Sequence, residues 1–365
     1  MISRIFEFLS RRIDGPLMAA LALTLALGLT VVYSASGGGS LDRVLGQGRN
    51  VAVALFALWL FAHVHPQVLM RVALPVYVAG LGLLVGVALF GEIRNGARRW
   101  LNLGFTVIQP SEVMKIAVPL MLAWYFHRRE EGLRLRDFLV AGVILALPVG
   151  LVLRQPDLGT AMLIAAAGFF VIFLAGLSWK VILSLVAAGG AALPFVWSMM
   201  HGYQRKRILT LLDPMEDPLG AGYHIIQSTI AIGSGGVMGK GWLNGTQAQL
   251  DFLPERSTDF ILAVFGEEFG LIGNVVLIVL YLLIIARGLM IAANASTVFS
   301  RLAAGAITLS FFTYAFVNMG MVSGILPVVG VPLPMISYGG TALLSILAGF
   351  GILMSISTHK QLVSS

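Results

Sequence analysis

DFILAVFGEEFGLIGNVVLIVLYLLIIA, residues 259–286, decides what kind of fold this chain can have. A helix of roughly 20 mostly apolar residues crosses the hydrocarbon layer of a membrane. This stretch is longer than that, and its acids, Asp259, Glu267 and Glu268, all fall in its first half. Working outward, nine other stretches read the same way: 16–36, 47–64, 72–90, 111–127, 137–153, 158–177, 180–200, 302–322 and 336–357. Residues of the chain are 58% hydrophobic and only 11% charged, against about 25% charged in an ordinary soluble domain. The expectation is an all-α polytopic membrane protein with ten transmembrane helices, forming one membrane-embedded unit over 1–365. Arg4, Arg11 and Arg12 precede the first span, and Asp14-Gly15-Pro16 is a helix-start signal. Ser34 and Ser36 imitate a cleavage site, but the apolar run is too long for a signal peptide, so the first helix is expected to stay.

Ten spans put both termini on one side. With the termini in the cytoplasm, the inner segments hold Arg4, Arg11, Arg12, Arg71, Arg128, Arg129, Arg134, Arg136, Lys180, Arg287, Arg301 and Lys360. The short outer loops hold half as many: Arg43, Arg49, Arg94, Arg98, Arg99 and Arg154. That bias favours cytoplasmic termini. The remaining loop, 201–258, is then extracytoplasmic, between helices seven and eight. It adds Arg205, Lys206, Arg207, Lys240 and Arg256 to an already basic outer face. Those charges read either as solvated surface and lipid contact or as an anionic substrate's site. The net charge of +7 favours anionic partners, and in a membrane chain lipid head groups and phosphates come before nucleic acid. No basic-aromatic interleaving argues for nucleic acid. There is no cysteine, which excludes disulfides, thiolate nucleophiles and cysteine metal sites.

Loop 201–258 is too long for a connector. Its segment GYHIIQSTIAIG, 222–233, suits short pieces lying on or re-entering the membrane. SGILPVVGVPLPMISYGG, 323–340, has too many prolines and glycines for one helix. Irregular backbone at that depth must be buried in protein or line a wet cavity.

Ionisable residues inside spans are the first candidates for chemistry. Glu112 and Lys115 sit three apart on one helical face; they are a structural ion pair or a wall of the active cavity. Asp157, after Arg154, could cap the sixth helix or pair locally. Ser257 or Asp259 could cap the eighth helix, or Asp259 could do chemistry. Glu267 and Glu268 lie deeper and need partners. SGGVMGKG, 234–241, imitates a phosphate loop but lacks its first glycine and its Ser/Thr. Nucleotide hydrolysis is rejected, while its backbone could still cradle a phosphate. His63-x-His65 has no third ligand nearby, and Asn244-Gly245-Thr246 is a common chance match to a glycosylation site.

Five stretches carry a resemblance: QPSEVMKIAVPL (109–120), RQPDLGT (154–160), YQRKRILTLLDPMEDPLGAGYHIIQS (203–228), the run from Ile230 to Gly273, and GILPVVGVPLPMISYGG (324–340). With them the chain resembles the shape, elongation, division and sporulation (SEDS) family, and its elongation members more than its division members. The resemblance implies ten helices, cytoplasmic termini, and a multi-pass protein of the bacterial inner membrane. It implies a peptidoglycan glycosyltransferase that polymerises lipid II during elongation and rod-shape maintenance. It also implies a class B penicillin-binding protein as transpeptidase partner, within the elongation machinery. The family's key aspartate falls on Asp259, and its intramembrane acid–base pair on Glu112 and Lys115.

The implied reaction is a single inverting displacement with Asp259 as base. The leaving diphosphate needs positive charge, and Arg43, Arg99, Arg205, Arg207 and Lys240 are the candidates, with or without a divalent cation (Mg or Mn). Arg154 and Asp157 complete the expected substrate contacts. Gly270, Gly273 and Gly305 would let a partner's anchor helix approach the eighth or ninth span. The rival classes are a lipid II flippase and a non-enzymatic scaffold, neither of which makes glycan.

Overall fold

The computed structural model describes residues 12–38, 41–94, 97–102, 104, 107–130, 132–200, 202–216, 218, 222–250 and 252–359. Apolar stretches fold as helices: α1 (Gly15–Ala35), α2 (Leu41–His63), α3 (Pro66–Phe90), α4 (Pro110–His127), α5 (Leu135–Leu153), α6 (Leu158–Leu174) and α7 (Trp179–Met199). Three short helices follow, α8 (Gly202–Leu212), α9 (Tyr223–Ser234) and α10 (Thr246–Gln249), then α11 (Ile261–Ala293), α12 (Val298–Val322) and α13 (Thr341–Thr358). Seven helices, α1, α2, α3, α5, α11, α12 and α13, are long and apolar enough to cross a membrane; α6 and α7 contribute shorter apolar segments. The chain is therefore a multi-pass helical membrane protein.

The chain is all-α apart from one small element. Between α3 and α4, strands β1 (Glu92–Arg94), β2 (Ala97–Asn102) and β3 (Val107–Ile108) form a small antiparallel sheet. Where the chain leaves lipid, a link holding a turn satisfies its backbone groups by pairing with itself.

Buried side chains concentrate on α12 and α13, the centre of the bundle, while α2, α3 and α5 present apolar faces outward. At one end, Asp14 caps α1 and takes two hydrogen bonds from Arg287 of α11, at 2.9 and 2.7 Å, and one from Ser357 of α13, at 2.8 Å. This joins the first and last helices at the same end.

At the other end the long segment between α7 and α11 turns back into the bundle. Its glycine-rich part lies against a break in α11 at Gly270, whose φ of 62° and ψ of −158° leave the helix. Lys240 N and Gly241 N donate to Glu267 O and Glu268 O, both at 3.0 Å; Leu271 N and Ile272 N donate to Gly236 O and Val237 O, at 2.9 and 3.1 Å. A Cβ on Gly270 would lie 2.3 Å from Gly239 N, so only glycine admits this approach. The anticipated phosphate cradle at 234–241 is thereby corrected: the amides of Gly239, Lys240 and Gly241 are already bonded to protein carbonyls. The glycines expected to admit a partner helix also serve the chain itself. Gly270 receives the loop, a Cβ on Gly273 would meet Phe269, and one on Gly305 would meet Leu174 of α6.

Candidate functional site

The residues before α11 form a tight turn, with Thr258 N and Phe260 N both donating to Glu255 O at 3.0 and 3.2 Å. The helix starts at Ile261, with Phe260 at its N-cap and no side-chain cap. Neither Ser257 nor Asp259 caps it, so the capping reading falls. Asp259 precedes the span and is half-buried.

Its main chain is held from two sides. Asn318 of α12 donates through Nδ2 to Asp259 O at 2.8 Å and to Val331 O at 2.7 Å. From the irregular stretch 323–340, Ser337 Oγ donates to Thr258 O at 2.6 Å, and Tyr338 N donates to Ser257 O at 2.8 Å. That stretch is positioned in turn by buried Gln47 of α2, which donates to Ser337 O at 3.2 Å and accepts from Gly339 N at 3.1 Å. Beside the carboxylate is Gly330, in the left-handed region at φ 72°, where a Cβ would lie 3.3 Å from Asp259 Oδ2. The acid is thus fixed through its backbone, and among the described hydrogen bonds none reaches its carboxylate. Burial first, and Glu255 second, push Asp259 up from 3.8 to about 6. His224 of α9 stacks on Phe260, centroids 5.2 Å apart, and burial holds its imidazole below the ordinary value.

Three of the expected substrate residues reach this neighbourhood. Arg43 of α2 extends Nη1 to 3.5 Å from Ser257 Oγ. Asp157 caps α6, accepting from Thr160 N at 3.1 Å, and lies 3.5 Å from Arg99 Nε. Arg99 also donates to Pro156 O at 2.8 Å. The start of α6 touches the stretch beside Asp259, since a Cβ on Gly159 would lie 2.7 Å from Val329 O. Arg154, at the C-cap of α5, is exposed at the same end.

Other expected residues are engaged elsewhere. Arg205 spends its donors on carbonyls at the end of α7, Trp197 O at 2.9 Å and Ser198 O at 2.6 Å. Lys240 pairs with Glu267 at 2.6 Å, and Glu267 also accepts from Thr246 Oγ1 and Gln247 N. Glu268 accepts from Ser34 of α1. The two acids thus anchor the returning loop. The side chain of Arg207 lies outside the described residues.

Glu112 and Lys115 form a 2.6 Å ion pair that does not touch Asp259. Ser345 of α13 donates to Glu112 at 2.7 Å, and Lys115 sits 5.0 Å from the ring centroid of Tyr314 on α12. Tyr314 is one helical turn from Asn318, so one face of α12 contacts both the ion pair and the main chain of Asp259. Asn318, Gln47, Ser337 and His224 escaped the sequence reading. The available signal was an amide in an otherwise apolar span. For a divalent cation, the described residues offer no group of three or more His, Asp or Glu that could hold one.

A helical membrane bundle whose turn before α11 carries Asp259 with no hydrogen bond to its carboxylate among the described residues, and with Arg43 bonded to Ser257 two residues away, defines a multi-pass membrane protein with a polar site at one end. The profile of the cell cycle protein family that groups FtsW, RodA and SpoVE matches residues 16–362; the chain belongs to that family. It is 52% identical over 355 residues to the peptidoglycan glycosyltransferase MrdB of Escherichia coli strain K12, covering 96% of this chain and 95% of that one. It is 36% identical to the probable peptidoglycan glycosyltransferase FtsW of Geobacter metallireducens, covering 94% of each. Among solved structures, a peptidoglycan synthase complex described as coordinating polymerization and crosslinking matches at TM-score 0.82 and 33% identity, covering 95% of this chain and 99% of that one. The rod shape determining protein RodA of Thermus thermophilus matches at TM-score 0.70 and 30% identity, covering 93% and 95%.

Proposed function

We propose that this chain is a peptidoglycan glycosyltransferase that polymerises lipid II during cell elongation, with Asp259 as its general base. The observation that carries the role of Asp259 is a carboxylate clasped by its backbone while its oxygens take no hydrogen bond among the described residues. Its raised proton affinity suits a base working near neutral pH. The acceptor's GlcNAc 4-hydroxyl gives its proton to Asp259 as its oxygen bonds to C1 of the donor's MurNAc. The bond from C1 to the diphosphate oxygen breaks with inversion, and undecaprenyl diphosphate leaves with the electron pair. Arg43, hydrogen-bonded to Ser257, and Arg99, paired with Asp157 at the start of α6, stabilise the diphosphate; Arg154 extends this basic rim. A divalent cation, if used, would supply further positive charge for the departing diphosphate.

Ten spans follow if α4, α6 and α7 cross the membrane with the seven longer apolar helices, which puts α8 to α10 in an extracytoplasmic segment and both termini in the cytoplasm. The meeting of Asp14 with Ser357 supports the even count. The class B penicillin-binding protein would lay its anchor helix in the apolar groove between α11 and α12. That groove, about 290 Å³, is lined by Ile278, Leu282, Phe312, Phe316 and Met319.

The test is polymerisation of lipid II by the purified chain, read as glycan on a gel. Asp259→Asn should lower the rate by about 10²–10⁴. A wild-type chain that makes no glycan, alone or with its transpeptidase, would overturn the enzymatic reading. An Asp259→Asn chain within a few-fold of wild type would remove Asp259 as base and leave the activity standing.

A further inference from the structure

At the end of the bundle away from Asp259, between the last turn of α4 and the first of α5, is an open cleft of about 520 Å³. Its walls are His127, Arg128, Arg129, Arg134, Arg136 and Asp137, with Glu130 at the edge. The cleft is built around a buried acid. Asp137 accepts from Arg134 N at 2.9 Å and from Tyr125 Oη at 3.4 Å, and pairs with Arg129 Nε at 3.1 Å. Arg129 lies over the Tyr125 ring, 4.1 Å from its centroid, and Arg128 lies over Trp124 at 4.8 Å. These contacts hold two guanidinium groups in place before any ligand arrives, which lowers the entropy cost of binding.

The charge in the cleft is unevenly used. Asp137 takes Arg129, and Glu130 lies 3.5 Å from His127 Nδ1. Arg128, Arg134 and Arg136 have no ion pair among the described residues. Glu131 adds one acid to this link and lies outside the described residues. Guanidinium groups match phosphate oxygens in geometry and charge. The chemistry that fits is therefore a phosphate.

What attaches to that phosphate is set by the surface next to it. Along α5 from Arg136, the exposed residues include Leu139, Val140, Val143 and Leu147, between 45% and 65% accessible. Leu139, Val143 and Leu147 are four apart and form one apolar stripe along the span. Trp124 and Tyr125 stand at the same level as the arginines, where aromatic rings mark the boundary of the bilayer. A phosphate site standing on an apolar stripe at that boundary has the shape of a lipid. We infer that this cleft binds the head-group phosphate of an anionic phospholipid, with an acyl chain along α5. The inference does not rest on the proposed reaction, because no residue of the cleft belongs to the site around Asp259.

The experiment uses the full purified chain in neutral detergent. Dioleoylphosphatidylglycerol, dioleoylphosphatidylcholine and inorganic phosphate are titrated separately, and bound species are counted by native mass spectrometry. Wild type should retain phosphatidylglycerol in preference to phosphatidylcholine. Arg134→Gln with Arg136→Gln should weaken that retention about thirtyfold, as two interfacial charges are worth. Arg71→Gln with Arg301→Gln, exposed arginines at the same end, should leave it unchanged. If the double variant does not fold, Arg136→Gln alone should weaken retention about fivefold. Equal retention of both lipids by wild type, or undiminished retention in the Arg134/Arg136 variant, would overturn the inference. So would competition by millimolar inorganic phosphate, which would make this an ion site.

Discussion

Replacing Asp259 by Asn should raise stability while lowering activity, and the structure sets the size of both effects. The acid is moved by burial, and secondarily by Glu255, from 3.8 to about 6. A folded-state value above the unfolded one means that the folded chain holds the proton more tightly. The charged form is therefore a cost that is absent below about pH 4, grows as pH rises, and is complete above about pH 6. At 1.36 kcal/mol per pKa unit, that cost approaches roughly 3 kcal/mol at pH 7 as an upper bound. Asp259→Asn removes it, so the variant should melt a few degrees above wild type at pH 7 and level with it at pH 4. The rate should meanwhile fall by about 10²–10⁴. Wild-type polymerisation should lose activity as pH falls through about 6, when the base takes up its proton. Glu255→Gln should move that acid limb to lower pH, because it removes the smaller of the two causes. Thermal unfolding in detergent at the two pH values, with glycan synthesis measured alongside, is the assay. A variant less stable than wild type at pH 7 would refute the reasoning, since that is the behaviour of a structural contact.

The ion pair on α4 should behave oppositely. Lys115→Met strands Glu112 among α4, α12 and α13 and should cost about 3–5 kcal/mol, most of which Glu112→Gln in the same chain should restore; equal melting of single and double variants would deny the coupling. Asn318→Leu frees the carbonyls of Asp259 and Val331. It should lower kcat about tenfold or more with little change in KM for lipid II, and Asn318→Ser, which keeps one donor, should fall between. Topology can be read with single cysteines in this cysteine-free chain: Met238→Cys, at a position 77% exposed, should label with an impermeant thiol reagent in intact cells. Ser296→Cys, at the other end of the bundle, should not, and the reverse pattern would turn the protein over.

The main helices are legible in the sequence because length and apolarity are local properties. The stretches from 259 and 302 became α11 and α12 with small shifts of boundary. The shift at α11 matters, since it leaves Asp259 in a turn rather than in the helix. Charges were located equally well, but their uses were not. Lys240 and Arg205 read as substrate cations, and the fold spends them on Glu267 and on the end of α7. A charge count cannot see this, because the partners are set by how the returning loop docks. The small sheet at 92–108 was missed for a related reason: its strands are short and carry no long alternation.

By itself the sequence determined that this chain lives in lipid, where its helices fall, and which few ionisable residues its spans would tolerate. Those follow from transfer free energies, which are summed residue by residue along the chain. Only the tertiary structure decided that the stretch 323–340 lies beside the turn at 255–260. It alone decided that Asn318, Ser337 and Gln47 fix that turn, and that no hydrogen bond among the described residues reaches the Asp259 carboxylate. Such contacts join residues 59 to 292 positions apart. No local pattern encodes them, because they exist only once the bundle has closed around its irregular centre.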